Sequence, residues 1–459
     1  MWTWLRHFVD EGQAPPGRAW LPLPDKRNGQ PLYISMSDRK GGQQDLQETG
    51  GHAALTAFRL SPVIIWLGIV SMVTDISSES VAAVLPLYVT GFLGLSTIAF
   101  GVIDGINQGA SAIVRIGAGW VSDRTGHPKR VAVAGYGLSM AARVGFLFAG
   151  GFWAIAGIVT GDRIGKGIRT APRDALISAS AQPEYLARSF GIHRMLDNIG
   201  AAAGPLIAFL ILMLIPNGFS TVFVVSLAFA IIGVAVLVLV VPDKLKLSAR
   251  PSEGRPRPAF RWSQLKWLRL KEQGLARLVA VTGLLGLLTI GDGFVYLLLQ
   301  DREAFAVQWF PLLYVGTNVA FLVFAVPLGR LADRWGRVHV FLAGHVALLA
   351  CYVLAVLPLG GTAATLGCLV LLGLFYAATD GVLSALVSQL APPERLGTAL
   401  GAAQTVVALS RMAAAACFGL LWYLLGPGTA AACVAGLLAL AVPVAAIVLR
   451  RPAGRTATP

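Results

Sequence analysis

119-GWVSDRTGHPKR-130 and 329-GRLADRWGRVHV-340 are two copies of one pattern: a glycine, Asp-Arg four residues on, and a second glycine two residues after the arginine. The copies stand 210 residues apart (119 to 329), and 183-PEYLARSFG-191 returns at the same displacement as 393-PERLGTALG-401. Two independent matches sharing one offset mark an internal duplication. Each copy of the first pattern sits between long apolar runs, so the repeated unit is built from hydrophobic segments.

Those segments decide the fold class. The chain has 459 residues, 56% of them hydrophobic and only 13% charged, against roughly a quarter charged in an ordinary soluble domain. Runs such as 226-SLAFAIIGVAVLVLVV-241 and 426-GPGTAAACVAGLLALAVPVAAIVL-449 approach or exceed the ~20 residues that cross a bilayer as a helix. Breaks at polar, Gly and Pro positions predict helices near 62–90, 98–120, 131–150, 153–176, 189–214 and 219–241. A second set follows near 279–299, 307–329, 338–358, 363–390, 396–423 and 427–449. The expected architecture is an all-α membrane protein of twelve transmembrane helices, arranged as two pseudo-symmetric six-helix bundles at 58–242 and 279–450. Residues 1–57 read as a flexible extension, 243–278 as a linker and 451–459 as a tail.

The net charge of +14 is distributed as an orientation signal and not as a nucleic-acid footprint. Asp243 to Arg277 holds ten Lys/Arg against three acids, and the tail adds Arg450, Arg451 and Arg455, whereas the short connections 91–97, 216–218, 359–362 and 426–428 carry no charge. By the positive-inside rule the extension, linker and tail are cytoplasmic, and the expected location is a bacterial inner membrane with lipid as surroundings. Cys351, Cys368, Cys417 and Cys433 all lie in apolar segments without metal-ligand spacing and read as core residues.

The duplicated loop resembles the one between the second and third helices of the major facilitator superfamily of secondary transporters. Gly119, Asp123, Arg124, Gly126, Lys129 and Arg130 carry it first, and Gly329, Asp333, Arg334, Gly336 and Arg337 carry it again. The resemblance implies a gating role, in which these residues latch the two halves in one conformation. Arg163 and Gly167 match a second family motif, with Lys166 in place of its glutamine. Gly200, Gly204 and Pro205 match half of an antiporter motif, with Ala208 and Phe209 where its last glycines stand. The stretch 162-DRIGKGIRTAPRDALIS-178 resembles a group of bacterial transporters.

Ionisable residues inside apolar helices are costly unless they face a partner or a water-filled path. Asp75 and Glu79 lie one turn apart on the first helix, Asp104 and Arg115 share a face of the second, and Asp162, Lys166, Arg169 and Arg173 form a stripe on the fourth. Arg194 and Asp197 form a close pair on the fifth. One reading makes Asp75, Glu79, Asp104 and Asp162 proton-coupling groups, Asp75 foremost, because a carboxylate alternating between a dry and a basic environment can take up and release a proton. The substrate cavity is then expected from Arg115, Arg163, Lys166, Arg169, Asp292, Tyr296, Asp380, Gln404 and Arg411, with Trp66, Tyr88, Phe294, Asn318 and Tyr376 as further lining. The plainer reading fastens Arg163, Arg169, Arg173 and Asp174 to Asp123 and Glu184 at helix ends. Arg115 and Arg143 are long enough to snorkel, and His193 serves equally as a loop contact or a proton shuttle.

No phosphate-binding loop, nucleophile elbow or metal motif is present in the sequence. The expectation is therefore a transporter and not an enzyme, without cofactor or metal, moving a small-molecule substrate against protons and needing no obligate protein partner. Proton-coupled efflux of a small organic compound by alternating access leads. Proton-coupled uptake of an organic anion or metabolite is the nearest alternative, and a non-transporting membrane sensor or scaffold comes from another class.

Overall fold

Helix follows helix because each apolar run must satisfy its backbone internally once water is excluded. A computed structural model describes residues 61–125, 127–182, 185–242, 273–391 and 396–450. The extension 1–57, most of the linker and the tail 451–459 fall outside those residues. The first half comprises α1 (Pro62–Leu87, continued by a π-turn over Tyr88–Phe92), α2 (Thr97–Thr125), α3 (Pro128–Phe146), α4 (Phe152–Ser180), α5 (Leu186–Leu214) and α6 (Phe219–Leu239). The second comprises α7 (Gln273–Leu287), α8 (Asp292–Glu303), α9 (Phe310–Trp335), α10 (Arg337–Val356), α11 (Thr362–Leu390), α12 (Leu396–Leu425) and α13 (Pro427–Arg450). α7 and α8 are two pieces of one span, giving twelve spans among the described residues.

Nine of the spans in the described residues are long and apolar enough to cross a membrane on composition alone. The other three, α2, α3 and α4, are diluted by the arginine, lysine and aspartate discussed below. Large apolar side chains such as Phe148, Trp153, Leu214, Leu239 and Leu440 are left exposed on the outer surface, as a lipid-facing belt requires.

The duplication is visible in the packing. α1 packs on α5 and α6, α3 on α4 and α6, and α2 on α4; the second half repeats this with α7 on α12 and α13, α10 on α11 and α13, and α9 on α11. The halves meet through the equivalent pairs α2 with α12 and α5 with α9.

Several boundaries differ from expectation, and those of the seventh span, α2 and α9 bear on the site. The seventh span, expected to be continuous over 279–299, breaks between Leu287 and Asp292, and its first piece begins at Gln273, inside the stretch read as linker. α2 runs to Thr125 and α9 to Trp335, so Asp123 and Asp333 lie on helices and not in loops. Gly336, at φ +96°, makes the sharp turn from α9 into α10, a conformation that a side chain would strain.

The halves are closed at one end and parted at the other. Near the uncharged connections, a Cβ on Gly101 would stand 2.6 Å from the Ala415 carbonyl oxygen, one on Gly105 2.6 Å from that of Met412, and one on Gly419 2.5 Å from that of Thr97. Small residues let α2 and α12 approach this closely, and dispersion rather than hydrophobic burial then holds them in lipid. Phe100, Phe294, Phe418 and Trp422 seal the same end, with Phe100–Phe294 ring centroids 4.7 Å apart and Phe294–Phe418 5.0 Å. Phe209 of α5 meets Trp309 at 5.4 Å on the other side of the molecule. Toward the basic connections the seam opens: Ile113 is 57% exposed, and no described residue lies within 4 Å of a Cβ placed on Gly117, Gly397 or Gly401.

Candidate functional site

Along α4 the charged stripe grades from dry pairs to a rim. Arg143 Nη2 of α3 donates to Asp162 Oδ1 at 3.0 Å, and Arg163 Nη2 lies 3.1 Å from Asp162 Oδ2. Arg143 also donates to the hydroxyls of Ser77 (3.3 Å) and Ser78 (3.0 Å) on α1. It therefore does not snorkel; its guanidinium is buried at the join of three helices. One turn on, Lys166 Nζ stands 3.8 Å from Glu79 Oε1, both side chains about a third exposed, at 32% and 30%. Arg169 Nη2 is 3.6 Å from Asp75 Oδ1 and its guanidinium lies 4.5 Å over the Tyr136 ring. Arg173 binds Asp174 at 3.1 Å and reaches Ser71 and Asp197, while Asp197 also meets Arg194 at 3.3 Å and accepts from Ser71 Oγ.

This order follows from packing. Gly135 and Gly165 bring α3 against α4, where a Cβ on Gly165 would stand 2.7 Å from the Gly135 carbonyl oxygen. Gly200 and Gly204 bring α5 against α1, and a Cβ on Gly204 would stand 3.0 Å from that of Glu79. With those helices in contact, long basic side chains on α4 span the gap to α1, where serine, threonine and carboxylate receive them. His193 is buried, and among the described residues neither of its ring nitrogens has a hydrogen-bond partner.

A cavity of about 440 Å³ lies between the halves, lined by Glu79 of α1, Asp292 and Tyr296 of α8, Tyr314, Thr317, Asn318 and Phe321 of α9, and Tyr376 and Asp380 of α11. The break in the seventh span is what sets Asp292 there: Gly291 caps α8, and Asp292 opens its first turn. Tyr376 Oη donates to Asp292 Oδ1 at 2.6 Å, and Tyr296 Oη donates to Thr317 Oγ1 at 2.7 Å. Tyr296 and Tyr314 pack edge to face at 4.5 Å. The guanidinium of Arg411 lies 5.4 Å from the Tyr376 ring and 5.8 Å from that of Phe375. Ion pairs among the described residues involve neither Asp292 nor Asp380. Nor do the described residues hold a group of three or more His, Cys, Asp or Glu close enough to share a metal ion.

Of the residues expected at a substrate cavity, Asp292, Tyr296 and Asp380 line this one, and Glu79 joins them from the coupling set. Asn318 and Tyr376 line it too, whereas Tyr314, Thr317 and Phe321 were not singled out from sequence. Arg163 and Arg169 are held in the ion-pair network, Arg411 stands behind Tyr376, and Arg115 and Gln404 are exposed outside the lining. Asp75 and Asp162 are paired, and Asp104 is buried against the second half. In the second copy of the duplicated motif, Arg337 donates to Asp333 at 3.3 Å and to the Ala385 carbonyl at 3.1 Å, and Arg334 is exposed. In the first copy Arg130 is exposed, while Gly126 and the side chains of Asp123, Arg124 and Glu184 lie outside the described residues.

The family model for the Major Facilitator Superfamily matches residues 67–317 and 302–459. An uncharacterized MFS-type transporter of Methanocaldococcus jannaschii is 29% identical over 395 residues, covering 84% of this chain and 93% of the relative. An uncharacterized protein of Mycobacterium tuberculosis is 30% identical over 154 residues, 33% of this chain and 36% of its own. Among solved structures, the nucleoside transporter NupG aligns with a TM-score of 0.71 at 15% identity, over 85% of this chain and 100% of its own. A POT family transporter in complex with 5-aminolevulinic acid aligns at 0.71 and 13% identity, over 84% and 95%; at such identities the likeness is one of fold. With its duplicated six-helix halves and the cavity between them, the chain belongs to the major facilitator superfamily and is a membrane transporter.

Proposed function

We propose that the transporter exports a small organic cation in exchange for protons, by alternating access across a bacterial inner membrane. The observation that carries this reading is the cavity between the halves, where Glu79, Asp292 and Asp380 stand with Tyr296, Tyr314 and Tyr376. Carboxylates supply a counter-charge, and tyrosine rings supply the faces against which a desolvated cation is held. A volume of about 440 Å³ suits a solute of metabolite or small-drug size.

With the basic connections in the cytoplasm, as the positive-inside rule directs, the parted end of the α2–α12 seam faces inward. A cation entering from that side meets ionised carboxylates and displaces their protons. Once the halves rock to the opposite state, protons from the other side displace the cation. Competition for the same carboxylates makes the exchange obligatory without a direct contact between the two ligands.

A thermal-shift series on the purified protein, with quaternary ammonium ions, primary amines and carboxylate compounds at acid and alkaline pH, tests the reading. Cations should stabilise the protein, more so at alkaline pH, and Asp292→Asn should remove the effect. Stabilisation by anions instead, lost on neutralising Lys166, would overturn export of a cation in favour of organic-anion symport.

A further inference from the structure

Asp104 is the one carboxylate of the coupling set that, among the described residues, neither lines the cavity nor forms an ion pair. It sits on α2 two turns inside the closed end, is 8% exposed, and its Oδ2 is buried without a hydrogen-bond partner among the described residues. What Oδ2 touches is the second half: a Cβ built on Gly291 would stand 2.1 Å from it. Gly291 caps α8 at the break in the seventh span, so the carboxylate of one bundle is pressed onto the bare backbone of the other. The space enclosed by Gln108, Thr289, Ile290, Gly291, Tyr376 and Arg411 beside it is too small for a water molecule.

We propose that Asp104 is a proton-binding site whose occupancy permits α2 to dock on the broken span α7–α8 and so shuts the transporter at the end of the uncharged connections. The argument is one of charge and space. An ionised carboxylate in a dry contact needs a cation or several donors, and Oδ2 has neither. Arg163 of α4 is the cation whose field acts on Asp104, but its Nη2 pairs with Asp162, and no ion pair with Asp104 forms among the described residues. The other charged or titratable groups around it are Asp292 of α8, Tyr314 of α9, and, across the Gly291 contact, Tyr376 of α11 and Arg411 of α12. Asp292 is of like charge. The first turn of α8 contributes a favourable dipole, but without an N–H on Oδ2 that dipole is smaller than the cost of an unpaired buried charge. No room remains for a hydrated metal cation, which leaves the proton.

When the end is open, Asp104 faces solvent and ionises there. Closure follows once an oxygen of Asp104 has taken a proton from that water, and the neutral acid is then carried against Gly291. If one proton binds the closed form alone, the closed-to-open ratio changes by up to about tenfold per pH unit. Protonation thus favours closure, and rising pH favours opening at this end. The mechanism rests on the alternating-access reading but not on the identity of the solute.

Spin labels on Ser96→Cys and Leu425→Cys, with Cys417 and Cys433 replaced by Ala, report the gap at the closed end in full-length protein in nanodiscs. Without any solute, the short-distance population should fall as pH rises from mildly acid to mildly alkaline. Asp104→Asn should hold that population at both extremes, and Asp104→Ser, a smaller neutral side chain, should do the same if the amide variant fails to fold. Gly291→Ala, which drives a methyl into the carboxylate, should depress the short-distance population at every pH. Glu79→Gln, which acts on the cavity, should keep the pH response, and Asp292→Asn, which removes the like charge beside Asp104, should move it to lower pH without abolishing it. Persistence of that response in both Asp104 variants, or its absence from the unsubstituted protein, would overturn the proposal. Loss of solute stabilisation alone would sink cation export and leave the proton site standing.

Discussion

The Tyr376 hydroxyl donates to Asp292 Oδ1 at 2.6 Å, tying α11 to the first turn of α8 at the break in the seventh span. A hydrogen bond to a charged acceptor contributes about 1.5–3 kcal/mol. Tyr376→Phe removes it while keeping the ring, so Asp292 loses its alignment and the cavity keeps its shape. Calorimetric titration with a stabilising cation should show about tenfold weaker binding in Tyr376→Phe, since 1.4 kcal/mol corresponds to tenfold. Unchanged affinity would place Asp292 outside the recognition site.

Stability should reside elsewhere, in the buried set of Asp162, Arg143 and Arg163. Asp162→Ala strands two guanidinium groups in a dry interior, at a cost of about 3–5 kcal/mol. Melting in detergent should fall by many degrees, with little protein recovered. Asp162→Ala melting like the unsubstituted protein would mean that water reaches these arginines.

How far the sequence discloses this molecule varies by feature. The twelve spans are legible because lipid demands apolar length, and the duplication is legible because Asp-Arg recurs at one offset. The break at Leu288–Gly291 is not, since 285-LGLLTIGDG-293 is almost wholly apolar and a hydropathy reading runs straight through it. The cavity is partly legible for a related reason. Glu79, Asp292 and Asp380 stand out as charges in apolar runs, whereas Tyr314 and Phe321 look like ordinary span residues until α9 is turned toward α8. Basicity misleads more than it informs: the stripe on α4 suggests an anion-binding wall, but Asp162 beside it engages Arg163 and Asp75 of α1 engages Arg169, and only packing contacts disclose the second pairing.

The glycine seam makes a conformational prediction. Gly101→Val would push side-chain carbon to within 2.6 Å of the Ala415 carbonyl oxygen and 3.0 Å of the Gly419 Cα. Overpacking of this kind costs typically about 1–3 kcal/mol, and here it falls only on the state in which α2 and α12 touch. The labelled pair at Ser96 and Leu425 should shift toward long distances by about five- to a hundredfold in population. Loss of melting temperature without a shift in distance would show that the seam holds in both states.

Arg337 joins Asp333 at the end of α9 to the Ala385 carbonyl of α11, beside the parted end and away from the cavity. Exposed pairs of this kind contribute about 0.2–1 kcal/mol. Arg337→Ala should therefore change the rate of conformational exchange by up to about fivefold, measured by single-molecule fluorescence, while cation affinity stays constant. A fall in affinity at an unchanged exchange rate would assign the motif to recognition.

Glu79 and Asp75 lie one turn apart on α1 and should fail in different ways. Glu79 lines the cavity, about a third exposed beside Lys166, whereas Asp75 is buried against Arg169. Neutralising Glu79 removes a carboxylate that both ligands can reach, so Glu79→Gln proteoliposomes should keep a folded protein but lose proton movement driven by a cation gradient. Neutralising Asp75 instead strips Arg169 of its counter-ion in a dry site, a cost of about 3–5 kcal/mol that should appear first as lost thermal stability. Conservative replacement separates the two further: Glu79→Asp should retain some coupled flux because a titrating group remains in the cavity. If Asp75→Asn is instead stable and uncoupled while Glu79→Gln still moves protons, the coupling carboxylate is Asp75 and the proton crosses by way of the α4 stripe rather than through the cavity.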